Sequence, residues 1–206
     1  FLQQCLLETN KKWKDKIDKE QYSLSFIQNN YDFKHFPMLA HTYDPNKKSK
    51  IIFPCYVQPK LDGLRCIVYL HNDSIVFQSR QGIFFTPLIH ISNDLLPIFN
   101  SYPNLILDGE LYTQQLTFQE LAGLIKKKNI IPQDFNKIIL IQYHIYDVIN
   151  ENSFHNRWLF FKDIIPHDSK NIKIVDTSIC HDSLQFNKYF NDYILLGFEG
   201  IMLRNT

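Results

Sequence analysis

The chain has 206 residues, 45% of them hydrophobic and 21% charged, and a net charge of +1. That length and balance fit one globular domain with a sizeable core, with room for a second small unit, and exclude a low-complexity chain. The charge excludes a protein that coats nucleic acid by bulk electrostatics. Basic residues cluster locally, at Lys11 to Lys19, Lys47 to Lys50 and Lys126 to Lys128. Each cluster alone reads as a solvated face, and the three together make one phosphate-backbone contact reasonable. Cys5, Cys55, Cys66 and Cys180 form neither a C-x-x-C pair nor a zinc spacing. With no signal peptide and no apolar run near 18 residues, the sequence predicts an intracellular protein with reduced thiols and no membrane span. Beginning at Phe1 without a methionine, it reads as a piece of something longer.

Leu2, Leu6, Trp13 and Ile17 fall at helical spacing among lysines and predict an N-terminal amphipathic helix. Residues 21–50 carry turn signals and predict a loose lead-in. From Ile51 the texture changes to strands, in "IIFPCYVQ" and "CIVYL", which flank a turn at Lys60, and in "SIVFQSR" after the hairpin signal "HND". "HISNDLLPIFNSYPN" predicts a short helix broken by Pro97 and ended by Pro103. "LILDGELY" predicts a strand. Thr117 with Glu120 three residues on is a capping box opening a helix that ends among lysines. "KIILIQYHIYDVI" predicts one long strand, "NRWLFFKDII" and "SLQFNKYFNDYILLG" helices, and "GIMLRN" a last strand. Hairpins interrupted by helices argue for an α+β fold with antiparallel sheets.

Lys60 follows Val57-Gln58-Pro59 and precedes Leu61-Asp62-Gly63. Proline fixes φ and Asp-Gly favours a turn, so this lysine is held on a stiff, non-helical segment. Such an amine suits nucleophilic attack when nearby cations and desolvation favour loss of its proton. An ordinary hairpin lysine looks the same from this stretch alone. Other segments add to it. Asp108 and Glu110 are two apart on one strand and share a face. Tyr146 precedes Asp147 on the long apolar strand, with His144 two residues earlier. Glu199 stands at a strand start, with Met202 three residues on.

Taken in order, "KLDGLR", "SRQG", "LDGEL", "YHIYDV" with Arg157 downstream, and "EGIMLR" resemble the motif series of covalent nucleotidyltransferases, specifically ATP-dependent DNA ligases. "MLAHTYDP" and "LTFQELAGLIKKK" also resemble ligase sequence, so the likeness runs from Pro37 to Thr206. It implies a nucleotidyltransferase (ATP-grasp-like) α+β domain of antiparallel sheets flanked by helices, over 37–206, with 1–36 a helical lead-in or the end of a preceding region. It implies that the chain stops before the family's last lysine motif and its oligonucleotide-binding domain, and so adenylylates itself poorly and barely seals nicks.

By the same resemblance Lys60 is the nucleophile toward ATP, and Glu199 the carboxylate for Mg²⁺. Glu110 meets the ribose, Tyr146 stacks on the adenine with Met202 on its other face, and Gln58 reads the base edge. Arg65 and Arg80 hold the AMP phosphate or the 5′-phosphate of nicked double-stranded DNA, the implied partner of a monomer. Bland alternatives stand beside these: Tyr146 and Met202 as core, Gln58 as a plain strand residue, Asp62 as a turn residue, Arg157 as a helix cap, His144 as structural. NAD-dependent ligases, RNA ligases, messenger RNA capping enzymes using GTP, and a non-catalytic ligase-derived binding module are the neighbouring readings. Leu61 and the Asp-Gly-Glu of the third motif favour ATP, and retention of Lys60, Glu110 and Glu199 together favours an enzyme.

Overall fold

Strand-forming runs rich in Val, Ile and Tyr give eight strands, with five helices between them, among the described residues of the computed structural model. Those residues are 12, 34–44, 51–86, 88–127 and 129–206. The chain divides into two units, 1–34 and 35–206, and all the strands and helices named below belong to the second. The apolar stripe Leu2, Leu6, Trp13 and Ile17 lies outside the described residues.

The elements run β1 (Cys55–Lys60), β2 (Leu64–His71), β3 (Ser74–Ser79), α1 (Ile89–Ser101), β4 (Ile106–Tyr112), α2 (Phe118–Lys126), α3 (Pro132–Ile138), β5 (Gln142–Val148), α4 (Phe154–Ile164), β6 (Ile172–Ile174), β7 (Ser178–Cys180), α5 (Ser183–Leu195) and β8 (Gly200–Asn205). They build a three-stranded sheet in the order β7-β1-β8 and a five-stranded sheet in the order β3-β2-β4-β5-β6. The β2–β3 hairpin turns on Asn72 and Asp73, both at positive φ (48° and 56°), the two-residue turn that "HND" predicts.

Alternation along β4 gives each face its role. Leu107, Gly109 and Leu111 point into the main core, where Val68, Tyr143 and Ile145 meet Ile91, Leu95 and Phe99 of α1 and Phe161 of α4. Asp108, Glu110 and Tyr112 point the other way. The small sheet has its own core, in which Cys55, Val57 and Cys180 pack on Tyr193, with Phe186 and Phe198 against them. Its opposite face reaches the large sheet through Gln58, which donates to the Tyr146 carbonyl, and Arg204, which donates to Asp147. The second faces of the two sheets thus meet across a cleft.

Four expectations change. The helix expected to break at Pro97 runs through it. Pro97 lies on the exposed side, so the carbonyl it leaves without a donor faces water, while Leu95, Ile98 and Phe99 stay buried. The expected strand from Lys137 begins only at Gln142, because Lys137 and Ile138 belong to α3. Lys60 closes β1 rather than sitting in a turn. The sheets are not wholly antiparallel, since β6 pairs with β5 in parallel. No helix among the described residues is long and apolar enough to cross a membrane.

Candidate active site

Strand β1 runs from the small core to the cleft and ends on Lys60, opposite Gly200 of β8. Pro59 is tolerated inside this strand for a geometric reason. The Lys60 carbonyl accepts from the Glu199 amide on the β8 side, so Pro59 faces the β7 side, where pairing covers only Cys55 to Val57. Glu199 is delivered by the end of α5. Gly197, at φ +86°, donates to Ile194 O and Phe198 donates to Tyr193 O, a Schellman ending with Tyr193 and Phe198 rings in contact at 5.7 Å. The chain then swings into β8, and the Lys60 Nζ donates to Glu199 Oε2. Both side chains stay open, 43% and 50% exposed.

Across the cleft, Arg65 of β2 donates through Nε and Nη2 to Asp108 Oδ1 and Oδ2, at 3.0 and 2.5 Å. Burial pushes the Asp108 carboxyl up, and the Arg65 fork opposes it. Glu110 sits opposite Arg65 on β4. Burial raises its carboxyl to about 8, against the lowering influence of Arg65. At neutral pH it therefore carries a proton and can donate as well as accept. The Tyr146 hydroxyl lies 3.5 Å from Glu110 Oε2. Pairing between β4 and β5 steps from Asp108↔Asp147 to Gly109↔Ile145, which leaves Tyr146 as the extra residue of a bulge. Bulges re-aim a side chain, and here the ring is turned between the guanidiniums of Arg65 and Arg204, 5.7 and 5.4 Å from its centroid.

Of the expected site residues, Gln58, Lys60, Glu199 and Met202 come together on the small sheet, with Met202 opposite Gln58. Arg65, Glu110 and Tyr146 come together on the large one. Gln58 is 1% exposed, and its amide is engaged by Tyr146 O, Thr177 Oγ1 and Arg204 Nε. Arg80 is exposed in the turn after β3, with no ion pair among the described residues. Burial lowers the His144 imidazole to about 4, and its ring lies edge-on to Tyr112 at 5.2 Å. Arg157 is buried and binds Asp147 in a fork, at 2.7 and 3.0 Å.

Two features escaped the sequence. Arg204, the last residue of "EGIMLR", donates at once to Asp147 (2.7 Å) and Gln58 (2.8 Å). Its signal was its place two residues beyond Met202, on the same face of β8. A cleft of about 510 Å³ opens beside the end of β1, lined among others by Pro59, Leu61, Tyr112, His144, Lys173 and Phe198. No cluster of three or more His, Cys, Asp or Glu side chains fit to hold a metal occurs among the described residues. Glu199 is the carboxylate that pairs with Lys60, and Glu110 also feels the Lys60 charge.

DNA ligase 4 of Saccharomyces cerevisiae is 28% identical over 169 residues, covering 72% of this chain, and the chain spans only 18% of that relative's length. Among solved structures, a Lig E DNA ligase matches 84% of this chain and 63% of its own, with a TM-score of 0.65 at 18% identity. The Chlorella virus DNA ligase-adenylate matches 83% of this chain and 61% of its own, with a TM-score of 0.61 at 21% identity. The bacteriophage T7 ATP-dependent DNA ligase in complex with ATP matches 73% and 56%, with a TM-score of 0.60 at 13% identity. These likenesses establish the fold. The model of the ATP dependent DNA ligase domain matches residues 37–206, most of the chain, and the chain belongs to that family.

Proposed function

We propose that Lys60 attacks the α-phosphorus of ATP in line. The amine gives up its proton, the N–P bond forms, the bond from the α-phosphorus to the bridging oxygen breaks, and pyrophosphate leaves. The observation that carries this reading is the contact of Lys60 Nζ with Glu199 at the end of β1, on the small sheet that Gln58 joins to Tyr146, whose hydroxyl lies against Glu110. Glu110 bonds the ribose, and Tyr146 and Met202 pack the adenine. Arg65 steadies Asp108 and lends its charge to the phosphate. Glu199 would share Mg²⁺ with the phosphates, and that ion when bound neutralises their charge. The nucleotide then passes to the 5′-phosphate of a nick in duplex DNA, held in part by Arg80, and the 3′-hydroxyl closes the break, with the protein acting as a monomer.

The test uses α-labelled ATP with Mg²⁺. Label should join the protein, and Lys60→Ala should take none while unfolding at the same temperature as the unaltered chain. Label on Lys60→Ala would reject the assignment. Label from GTP or NAD instead of ATP would move the chain to a neighbouring class.

A further inference from the structure

We propose that Cys55 and Cys180 form a reversible redox site: a small-molecule disulfide such as oxidised glutathione joins them into a bridge that staples β7 to β1. The inference is independent of the nucleotide chemistry proposed above.

Cys55 opens β1 and Cys180 closes β7, and the two are direct partners in the antiparallel register. Partners of that kind hold their Cα atoms roughly 4.5–5.5 Å apart, inside the roughly 4.4–6.8 Å that a disulfide spans. Side chains opposite each other in register leave the sheet on one face, and here both enter the small core, each 0% exposed. Burial and then the neighbouring Cys180 push the Cys55 thiol up to about 11, so the two sulfurs feel each other. Cys180 Sγ also donates to Asp182 O at 3.3 Å. Cys66 supplies the contrast. It is as deeply buried, but it lies in the main core, opposite Ser79 and Gly109 rather than a thiol.

Buried thiols are inert while the strands stay closed. Access comes from β7. It is three residues long, an edge strand that pairs only with β1, and its middle residue Ile179 is 45% exposed. Short edge pairings open locally at less cost than global unfolding. The opened Cys180 thiol loses its proton, and its sulfur attacks one sulfur of the glutathione disulfide. The other half leaves as a thiolate and takes up a proton. When β7 closes, the Cys55 sulfur loses its proton in turn, attacks the Cys180 sulfur and expels the second glutathione. Two protons and two electrons pass from the protein to the oxidant, which becomes two thiols. The bridge closes a loop that contains β2 to β6, the whole large sheet, so it removes much freedom from the unfolded chain.

The experiment treats the full 206-residue chain with excess oxidised glutathione, then unfolds it in iodoacetamide for intact mass and non-reducing peptide mapping. The expected result is a loss of two hydrogens with one linkage, Cys55 to Cys180, and Cys66 recovered alkylated. The unfolding temperature of the oxidised chain should rise, by about 5 °C, and dithiothreitol should reverse the rise. Cys180→Ala should gain neither an internal linkage nor the rise. Recovery of Cys55 and Cys180 both alkylated overturns the proposal. So does glutathione retained on either one, which would mean that the second sulfur is out of reach. So does a linkage to Cys5 or Cys66, which would mean collision in an opened chain. So does a Cys55–Cys180 bridge with no rise in unfolding temperature, which would mean that it forms only outside the native register. The mapping uses the unaltered chain, so it decides the matter even where Cys180→Ala fails to fold.

Discussion

Gly63 and Gly109 leave no room for a methyl group. A Cβ on Gly63 would sit 2.5 Å from Leu111 O and 2.6 Å from Glu110 Cγ, and one on Gly109 would sit 2.5 Å from His144 O. Neither has the positive φ that marks Gly82 or Gly197. Both Asp-Gly pairs therefore serve close approach of strands, and the first brings the Lys60 loop against Glu110. Turn chemistry was the natural reading of Asp62-Gly63 in sequence, since nothing local reveals which distant strand lies 2.5 Å away. Glu110 itself supplies a pH test. Its carboxyl titrates near 4.5 when free and near 8 in the fold. Below the lower value both states hold the proton and pH has no leverage. Between the two, the folded chain keeps a proton that the unfolded chain has lost, so this group's contribution falls as pH rises toward 8. Glu110→Gln should flatten the decline in unfolding temperature between about pH 5 and about pH 8. A thermal melt series on both proteins checks it, and identical slopes would remove Glu110 as the cause.

Helix ends were the most legible elements, because a cap is a local device. Thr117 and Glu120 form the reciprocal box, with the Thr117 amide donating to Glu120 Oε2 at 3.1 Å and the Glu120 amide to Thr117 Oγ1 at 3.3 Å. Thr117→Ala should cost about 1 kcal/mol. For a protein of this size that lowers the unfolding temperature by roughly 2–4 °C. Calorimetry reads the shift, and labelling by ATP should not change. Gly197 likewise announced the end of α5, and β8 fell where "GIMLRN" indicated. The helix that sequence missed is α3. Its run of Ile130 and Ile131 and then Ile138 to Ile141 looks like strand. Yet Pro132 at the first helical position and the Ile131 amide bonded to Asp134 Oδ2 (2.9 Å) start a helix. The three-residue strands β6 and β7 carry too little periodicity to be read, and they exist because β5 and β1 offer them an edge.

At the scale of the molecule, charge is nearly balanced at +1, so the proposed attachment to a duplex would rest on a few placed cations. Arg80 is exposed and is the one such residue singled out on the β3 turn. Binding of a nicked duplex should weaken with salt, and Arg80→Ala should reduce the log–log slope by about one. Fluorescence anisotropy across a salt series measures this, and an unchanged slope would take Arg80 off the phosphate. The motif order gave the family before any coordinates. It could not give the bonds of Arg204 to Gln58 and Asp147, because hydrogen-bond partners 146 and 57 residues apart leave no local trace. The contact between Lys60 and Glu199 spans 139 residues, and β8, the partner of β1, is the last strand. A growing polypeptide leaving the ribosome therefore exposes the Lys60 amine long before its Glu199 partner exists. On the proposed reading, charging with nucleotide waits until the residues through Asn205 have been made.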